Sequence, residues 1–143
     1  MDSQILDCFG WFRVAVQALV VIAETDGACS STVIAQELRA HATFCRRVIA
    51  HLVPAHLVVA REGRDGGYRL ARPAHSITLA EVYRAVKPVS QPERITASQP
   101  ENSRVQHMLA EVATEVEHAL LAKLAGYTLA SLMETPLPSR PHS

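Results

Sequence analysis

Hydrophobic positions along the chain recur with two different periods, and the switches between them outline its organisation. From Gly10 to Glu24, GWFRVAVQALVVIAE is apolar on nearly every side until Asp26-Gly27 interrupts it. A helix of that profile has to be covered all round. Ser30 is placed as an N-cap for a short helix from Ser31 to Leu38, in which Ile34, Ala35 and Leu38 share one face. The tripeptide RAH follows. In ATFCRRVIAHLV, Cys45, Val48, Ile49 and Leu52 then recur at i, i+3, i+4 and i+7, and Pro54 keeps the helix from running on. Two short helices joined by so tight a turn predict a helix-turn-helix.

The period then changes to two. HLVVAR is a β-branched strand, and GYRLA alternates with Tyr68 and Leu70 on one face and Arg69 on the other. With a glycine-rich loop between them, the two segments predict a β-hairpin, or wing. Thr78-Leu79-Ala80-Glu81 is a capping box flanked by Ile77 and Val82, which predicts a helix from Leu79 that ends before Pro88. Residues 88–101, rich in Pro, Ser and Gln, lack periodicity and read as a linker or mobile loop. Asn102 is placed to cap a long helix striped by Val105, Leu109, Val112, Val116, Leu120 and Leu124, with Gly126 placed to end it in the left-handed region. Thr128 caps one more short turn, LASLME, and the Pro-rich residues 135–143 read as a disordered tail. The expected fold class is mainly α with a small β-hairpin wing (α+β). Its organisation is a winged helix-turn-helix over residues 1–87, a linker over 88–101 and a dimerisation helix region over 102–134. Packing of the long helix onto the helix from Gly10 of the same chain is the alternative to pairing between copies.

Composition changes this picture through the placement of charge rather than its total. Formal net charge is zero over 143 residues. Residues 30–72 nevertheless hold seven arginines, at 39, 46, 47, 61, 64, 69 and 72, against Glu37, Glu62 and Asp65. One basic segment in a neutral chain predicts a localised polyanion-binding face. No apolar run reaches transmembrane length, and the start MDSQILD lacks the positive charge of a signal peptide, so a cytoplasmic protein without membrane contact is expected. GxSxG, HExxH and phosphate-loop patterns are absent from the sequence, which argues against an enzyme.

In a helix-turn-helix the second helix enters the DNA major groove with its N-terminal residues leading. The periodicity turns Thr43, Arg46, Arg47 and Ala50 outward, with His41 and Phe44 near the leading end and Ser31 and Thr32 at the start of the first helix. Guanidinium groups offer paired donors to guanine edges or phosphates. In the wing, Gly63, Gly66 and Gly67 permit positive φ and close backbone approach, while Arg61, Arg64, Arg69 and Arg72 surround them with charge. A solvated arginine face and an ordinary glycine turn are the bland alternatives. The succession of helix-turn-helix and basic wing favours double-stranded DNA.

The segments IAQEL, RAHATFCRRVIAHL, AHLVVAREGRDGGYRLAR and ITLAEVYRAV, in that order, resemble the IscR/CymR-like (BadM-type, Rrf-two) winged helix-turn-helix transcriptional regulators. The resemblance runs from about Ser30 to Val86 and is carried by GxxGGYxLAR and ITLxxVxxAV. It implies a homodimeric regulator, commonly a repressor, on a palindromic operator, with redox or metabolite sensing frequent in the family. Members that carry an iron–sulfur cluster ligate it with three cysteines in the segment matching Pro88 to Glu101, where this chain has none. No cofactor and no metal are therefore expected. His56 stands where the family has glycine, and Cys45 where it has a buried leucine.

The three cysteines, Cys8, Cys29 and Cys45, form no CxxC. Reduced thiols are the default; Cys8, Cys29 and Cys45 are the candidate redox thiols, with Cys8 and Cys29 read as exposed enough to oxidise and Cys45 read first as a core residue. His41 and Cys45 at i, i+4 are a weak metal pair beside the reading of cap and core. Trp11, Phe12 and Tyr83 either line a pocket for a small effector or simply pack, and a protein partner is the other route of regulation. A winged-helix protein-interaction module that does not bind DNA is the competing function.

Overall fold

The computed structural model of the chain describes residues 9–90 and 104–135. Helix α1 (Gly10–Glu24) turns Val14, Ala15, Ala18, Leu19 and Ile22 into the core, a single stripe at helical spacing. Within one chain it is not covered all round as its composition predicts. Trp11, Phe12, Val16, Val20 and Val21 on its flanks are half-buried. Thr25 ends the helix, its hydroxyl donating to the Val21 carbonyl at 2.7 Å.

Helix α2 (Ser31–Leu38) starts as expected, with the Ser30 hydroxyl accepting from the Val33 N–H at 3.2 Å. Helix α3 (Ala42–Leu52) follows from His41 and buries Cys45, Val48, Ile49 and Leu52. Both helices close in the same way. Arg39 (φ 52°) and His56 (φ 60°) adopt the left-handed conformation. After α2, the Arg39 N–H reaches Gln36 O at 3.2 Å and the Ala40 N–H reaches Ala35 O at 3.1 Å. After α3, the His56 N–H reaches Val53 O at 3.0 Å and the Leu57 N–H reaches Leu52 O at 3.2 Å. This is the Schellman pattern, in which a left-handed residue lets two amides return to orphan carbonyls. His56 thus holds a conformation that glycine adopts without strain.

Strands β1 (Val58–Arg61) and β2 (Gly67–Leu70) pair antiparallel, with Val58 opposite Leu70 and Arg61 opposite Gly67. The far edge of β2 exchanges two backbone bonds with Cys29, at 2.8 and 2.9 Å, and this ties the wing to the loop before α2. A 3-10 turn (Ala74–Ser76) leads to α4 (Leu79–Ser90). The capping box is present, with the Glu81 N–H donating to Thr78 Oγ1 at 3.2 Å and the Thr78 N–H to Glu81 Oε2 at 2.9 Å. The expected end before Pro88 is corrected, because α4 continues to Ser90. Proline's fixed φ is itself helical, and the hydrogen bond it removes falls in the last turn.

Helix α5 (Arg104–Leu124) contacts α4, and the chain closes with α6 (Leu129–Glu134). Thr128 and Ser131 form a reciprocal capping box for α6, and Leu129 joins the core fully buried. Gly126 does not take the left-handed conformation expected of it. Instead α5 tightens into its exit turn through Gly126 N–H to Lys123 O at 3.2 Å and Tyr127 N–H to Leu124 O at 3.2 Å. The Asn102 cap, Cys8, most of the 88–101 segment and the tail beyond Thr135 lie outside the described residues. The architecture is mainly helical with a two-stranded antiparallel hairpin. Since α1 touches α2, α3, α4, β2 and α6, the core is built around it. Among the described residues, no helix is long and apolar enough to cross a membrane.

Candidate nucleic-acid interface

Burial on α3 divides its residues as the periodicity predicts. Cys45, Val48, Ile49 and Leu52 are fully buried, while His41, Thr43, Arg46, Arg47 and Ala50 are exposed. Phe44 is half-buried and packs against the core, which makes it a support for the helix N-terminus rather than a free contact. On α2, Thr32 is exposed and Ser31 half-buried. The inward stripe pins α3 onto α1, α2 and α4, and that packing presents the two adjacent guanidinium groups outward.

The wing supplies a second set of charges. Arg61, Arg64 and Arg69 are exposed. Among the described residues, none of Arg46, Arg47, Arg61, Arg64 and Arg69 forms an ion pair; the salt bridges there are Arg72 with Glu81 and Lys87 with Glu117. Five exposed arginines without an ion pair, against Glu62 and Asp65 in the wing loop, leave α3 and the wing with a net positive charge. Arg72 is the exception among the wing arginines, turned to the Glu81 carboxylate at 2.9 Å. The Arg69 guanidinium lies over the turn after α1, 3.7 Å from where a Cβ on Gly27 would sit.

The wing glycines have an explanation inside the fold. Gly63 (φ 113°) and Gly67 (φ 145°) use positive φ, whereas Gly66 does not. A Cβ on Gly66 would fall 2.3 Å from the Arg61 carbonyl oxygen, and one on Gly67 would fall 2.7 Å from the Cys29 carbonyl oxygen. Both positions demand glycine for close backbone approach, whatever lies outside the wing. Of the arginines around them, Arg61 and Arg64 are exposed and form no ion pair among the described residues.

The thiols fall differently from the sequence expectation in one case. Cys45 is fully buried as expected, and burial pushes its thiol pKa up. Cys29, expected to be exposed, is corrected: it is 2% exposed, because its backbone is bridged to Tyr68 and its side chain joins the core. Burial keeps both thiols from reagents, and the raised pKa of Cys45 makes it a poor nucleophile as well. Among the described residues, no group of three or more His, Cys, Asp or Glu side chains is placed to hold a metal.

Trp11, Phe12 and Tyr83 come together, with ring centroids 5.4 Å apart for Trp11–Tyr83 and 6.0 Å for Phe12–Tyr83. These are ordinary tilted aromatic contacts, and the rings fill the space between α1 and α4 against each other. Periodicity did not reveal the Arg72–Glu81 contact or the Cys29 bridge. The first spans nine residues across a 3-10 turn and the second 39, and neither leaves a repeating pattern.

The comparisons with known proteins agree with this geometry. The family model described as Rrf2, iron-dependent transcriptional regulator, matches residues 11–135. YwgB of Bacillus subtilis (strain 168), whose name assigns it provisionally to the HTH-type transcriptional regulators, is 32% identical over 75 residues. That match covers 51% of this chain and 48% of YwgB, so the chain spans about half the length of this curated relative. Among solved structures, IscR of T. potens is 25% identical with a TM-score of 0.62, over 87% of this chain and 83% of that one. Staphylococcus aureus CymR, 24% identical, shares the fold with a TM-score of 0.65 over 90% of this chain and 99% of its own. Together with the helix-turn-helix and the hairpin beside it, the family match over residues 11–135 places the chain in the Rrf2 family of transcriptional regulators, and not among enzymes.

Proposed function

We propose that the protein is a homodimeric, sequence-specific DNA-binding repressor that reads a palindromic operator. One observation carries this reading: α3 and the wing expose five arginines that form no ion pair among the described residues, in a segment, residues 30–72, whose seven arginines outnumber its three carboxylates. Thr43, Arg46 and Arg47 enter the major groove, led by His41 and supported by Phe44, with Ser31 and Thr32 against the adjacent backbone. Arg64, at the wing tip between Gly63 and Gly66, runs along the neighbouring minor groove, and Arg61 and Arg69 contact phosphates beside it.

Residues 1–87 form the DNA-reading unit and 102–134 the dimerisation region. The exposed apolar stripe of α5 supports the second assignment, because an unpartnered helix face of that kind is normally an interface. The family description names iron, yet residues 88–101 of this chain contain no cysteine. The protein works without the cysteine-ligated cluster, and its regulation runs through a small effector or a protein partner. Its place is the cytoplasm, with the DNA.

Paired arginine variants test the binding face. Arg47→Ala weakens operator binding by about 1–3 kcal/mol and relaxes base preference at one position of each half-site. Arg64→Ala weakens binding to every duplex and lowers the salt slope by about 1 for each phosphate it no longer neutralises. Unchanged affinity in both variants would remove the binding face from where it is drawn.

A further inference from the structure

We propose that Glu81 is a positioning residue for the wing: its carboxylate joins the exit of the hairpin to the start of α4, whose cap residue Thr78 is in turn bridged to the segment after α5, and so fixes how the wing is presented to DNA. The two oxygens are divided between two tasks. Oε1 accepts from the Arg72 guanidinium at 2.9 Å, two residues beyond the end of β2. Oε2 accepts from the Thr78 N–H at 2.9 Å and from its hydroxyl at 3.3 Å.

Thr78 is itself held to the segment that follows α5. It forms an isolated bridge with Thr128, completed by the Leu79 N–H to Tyr127 O at 3.0 Å and the Leu129 N–H to Ile77 O at 2.8 Å. One side chain thus lies between the basic hairpin and the helix whose apolar stripe faces outward. The base of the hairpin is anchored by Val58 in the core, by Tyr68 and Leu70 packed against it, by the Cys29 bridge and by the Ala71 N–H to Leu57 O bond at 3.0 Å. The Arg72–Glu81 contact adds the side-chain tie between the hairpin exit and α4.

Arg72 differs in this from the other wing arginines. It is about one-third exposed, its Nε is buried without a hydrogen-bond partner among the described residues, and its free reach is taken up by Glu81. An arginine committed to a carboxylate in this way acts on DNA through the position it enforces, not through a phosphate. Glu81 is held ionised for this role. Burial pushes its carboxyl up, and the Thr78 N–H and the Arg72 guanidinium more than offset that, so it stays below the usual carboxylate range.

The inference rests on the DNA-binding reading, and its test separates the two. The variants are Arg72→Met, Glu81→Gln and the double substitution. Gln keeps an acceptor for Thr78, so α4 stays capped, and thermal unfolding and sedimentation check that fold and dimer persist. Operator affinity is measured by fluorescence anisotropy across a salt series, and amide hydrogen exchange of residues 58–61 and 67–70 is measured without DNA. Each single variant is expected to lose about tenfold in operator affinity with an unchanged salt slope, because the phosphate contacts still form once the wing is ordered. The double variant is expected to lose no more than either single one, as two residues acting through one contact do not add. Wing amides exchange several-fold faster in both.

Two results overturn the proposal. If Glu81→Gln binds as tightly as the wild type or tighter while Arg72→Met lowers the salt slope, Arg72 is a phosphate ligand and Glu81 a helix cap. If wing exchange is unchanged in both variants, the joint does not hold the hairpin, whatever DNA does. Absence of selective binding by the wild-type protein would instead strike at the DNA-binding reading, leaving the exchange comparison to decide the joint.

Discussion

At the scale of single residues, the two helices of the helix-turn-helix close on residues that are usually glycine. Arg39 and His56 hold left-handed φ values of 52° and 60°. For a residue with a Cβ that conformation costs about 1–2 kcal/mol. Part of the gain on replacing it is offset by the extra freedom glycine loses on folding, about 0.5–1 kcal/mol. His56→Gly is therefore expected to raise stability by about 0.5–1 kcal/mol, read as a higher urea midpoint with an unchanged slope. A lower midpoint would mean that the imidazole makes a compensating contact. The cysteines give a second residue-scale prediction. With Cys8 replaced by serine, the remaining thiols Cys29 and Cys45 are buried and should react with a thiol reagent only as fast as the protein opens. Stoichiometric labelling within seconds in the native state would restore Cys29 as a redox candidate.

At the scale of elements, the wing and α4 are locked by the charge on Glu81. Its folded pKa lies below its ordinary value of 4.5, so the stabilisation is complete above that value and is lost as pH falls through the lower, folded value. The wild-type protein should therefore lose stability on acidification below about pH 4.5 more steeply than Glu81→Gln, in which the position does not titrate. Parallel acid-unfolding curves would show that the ion pair contributes nothing to the fold.

Elements were legible in the sequence where a local pattern specifies them. The α3 stripe of Cys45, Val48, Ile49 and Leu52, the Ser30 cap and the Thr78–Glu81 box each stand in the structure as the spacing implies. The outward set of Thr43, Arg46 and Arg47 followed from the same stripe. Pro88 misled because proline forbids a helix only in its interior, and here it falls in the last turn of α4. Gly126 misled because tighter three-residue bonds end α5 without a left-handed residue. The burial of Cys29 was hidden because it depends on a bridge to Tyr68, 39 residues away in sequence, and no local period encodes such a contact.

At the scale of the whole molecule, α5 stands out as a helix without a buried residue in one chain. Val105, Leu109, Val112 and Val116 are 65, 63, 54 and 62% exposed and lie at i, i+4, i+7 and i+11 on one stripe. Its C-terminal half meets α4, where Glu117 pairs with Lys87, and Leu120, Leu121 and Leu124 are half-buried. If two copies pair through this stripe, Val112→Glu buries two carboxylates per dimer and weakens association more than about tenfold. Sedimentation equilibrium should show monomers at concentrations where the wild type is dimeric, with helix content retained. An unchanged mass would assign the stripe to another partner.

The central claim is that α3 and the wing read a particular DNA sequence. Its most direct test is fluorescence anisotropy of the reduced full-length protein on duplex DNA from upstream of its own gene, against a scrambled duplex, across a salt series. Tight binding is expected, preferring the first duplex by at least about a thousandfold, with affinity falling steeply as salt rises. Failure to bind either duplex at low salt would contradict it and leave the arginine face as a docking surface for protein.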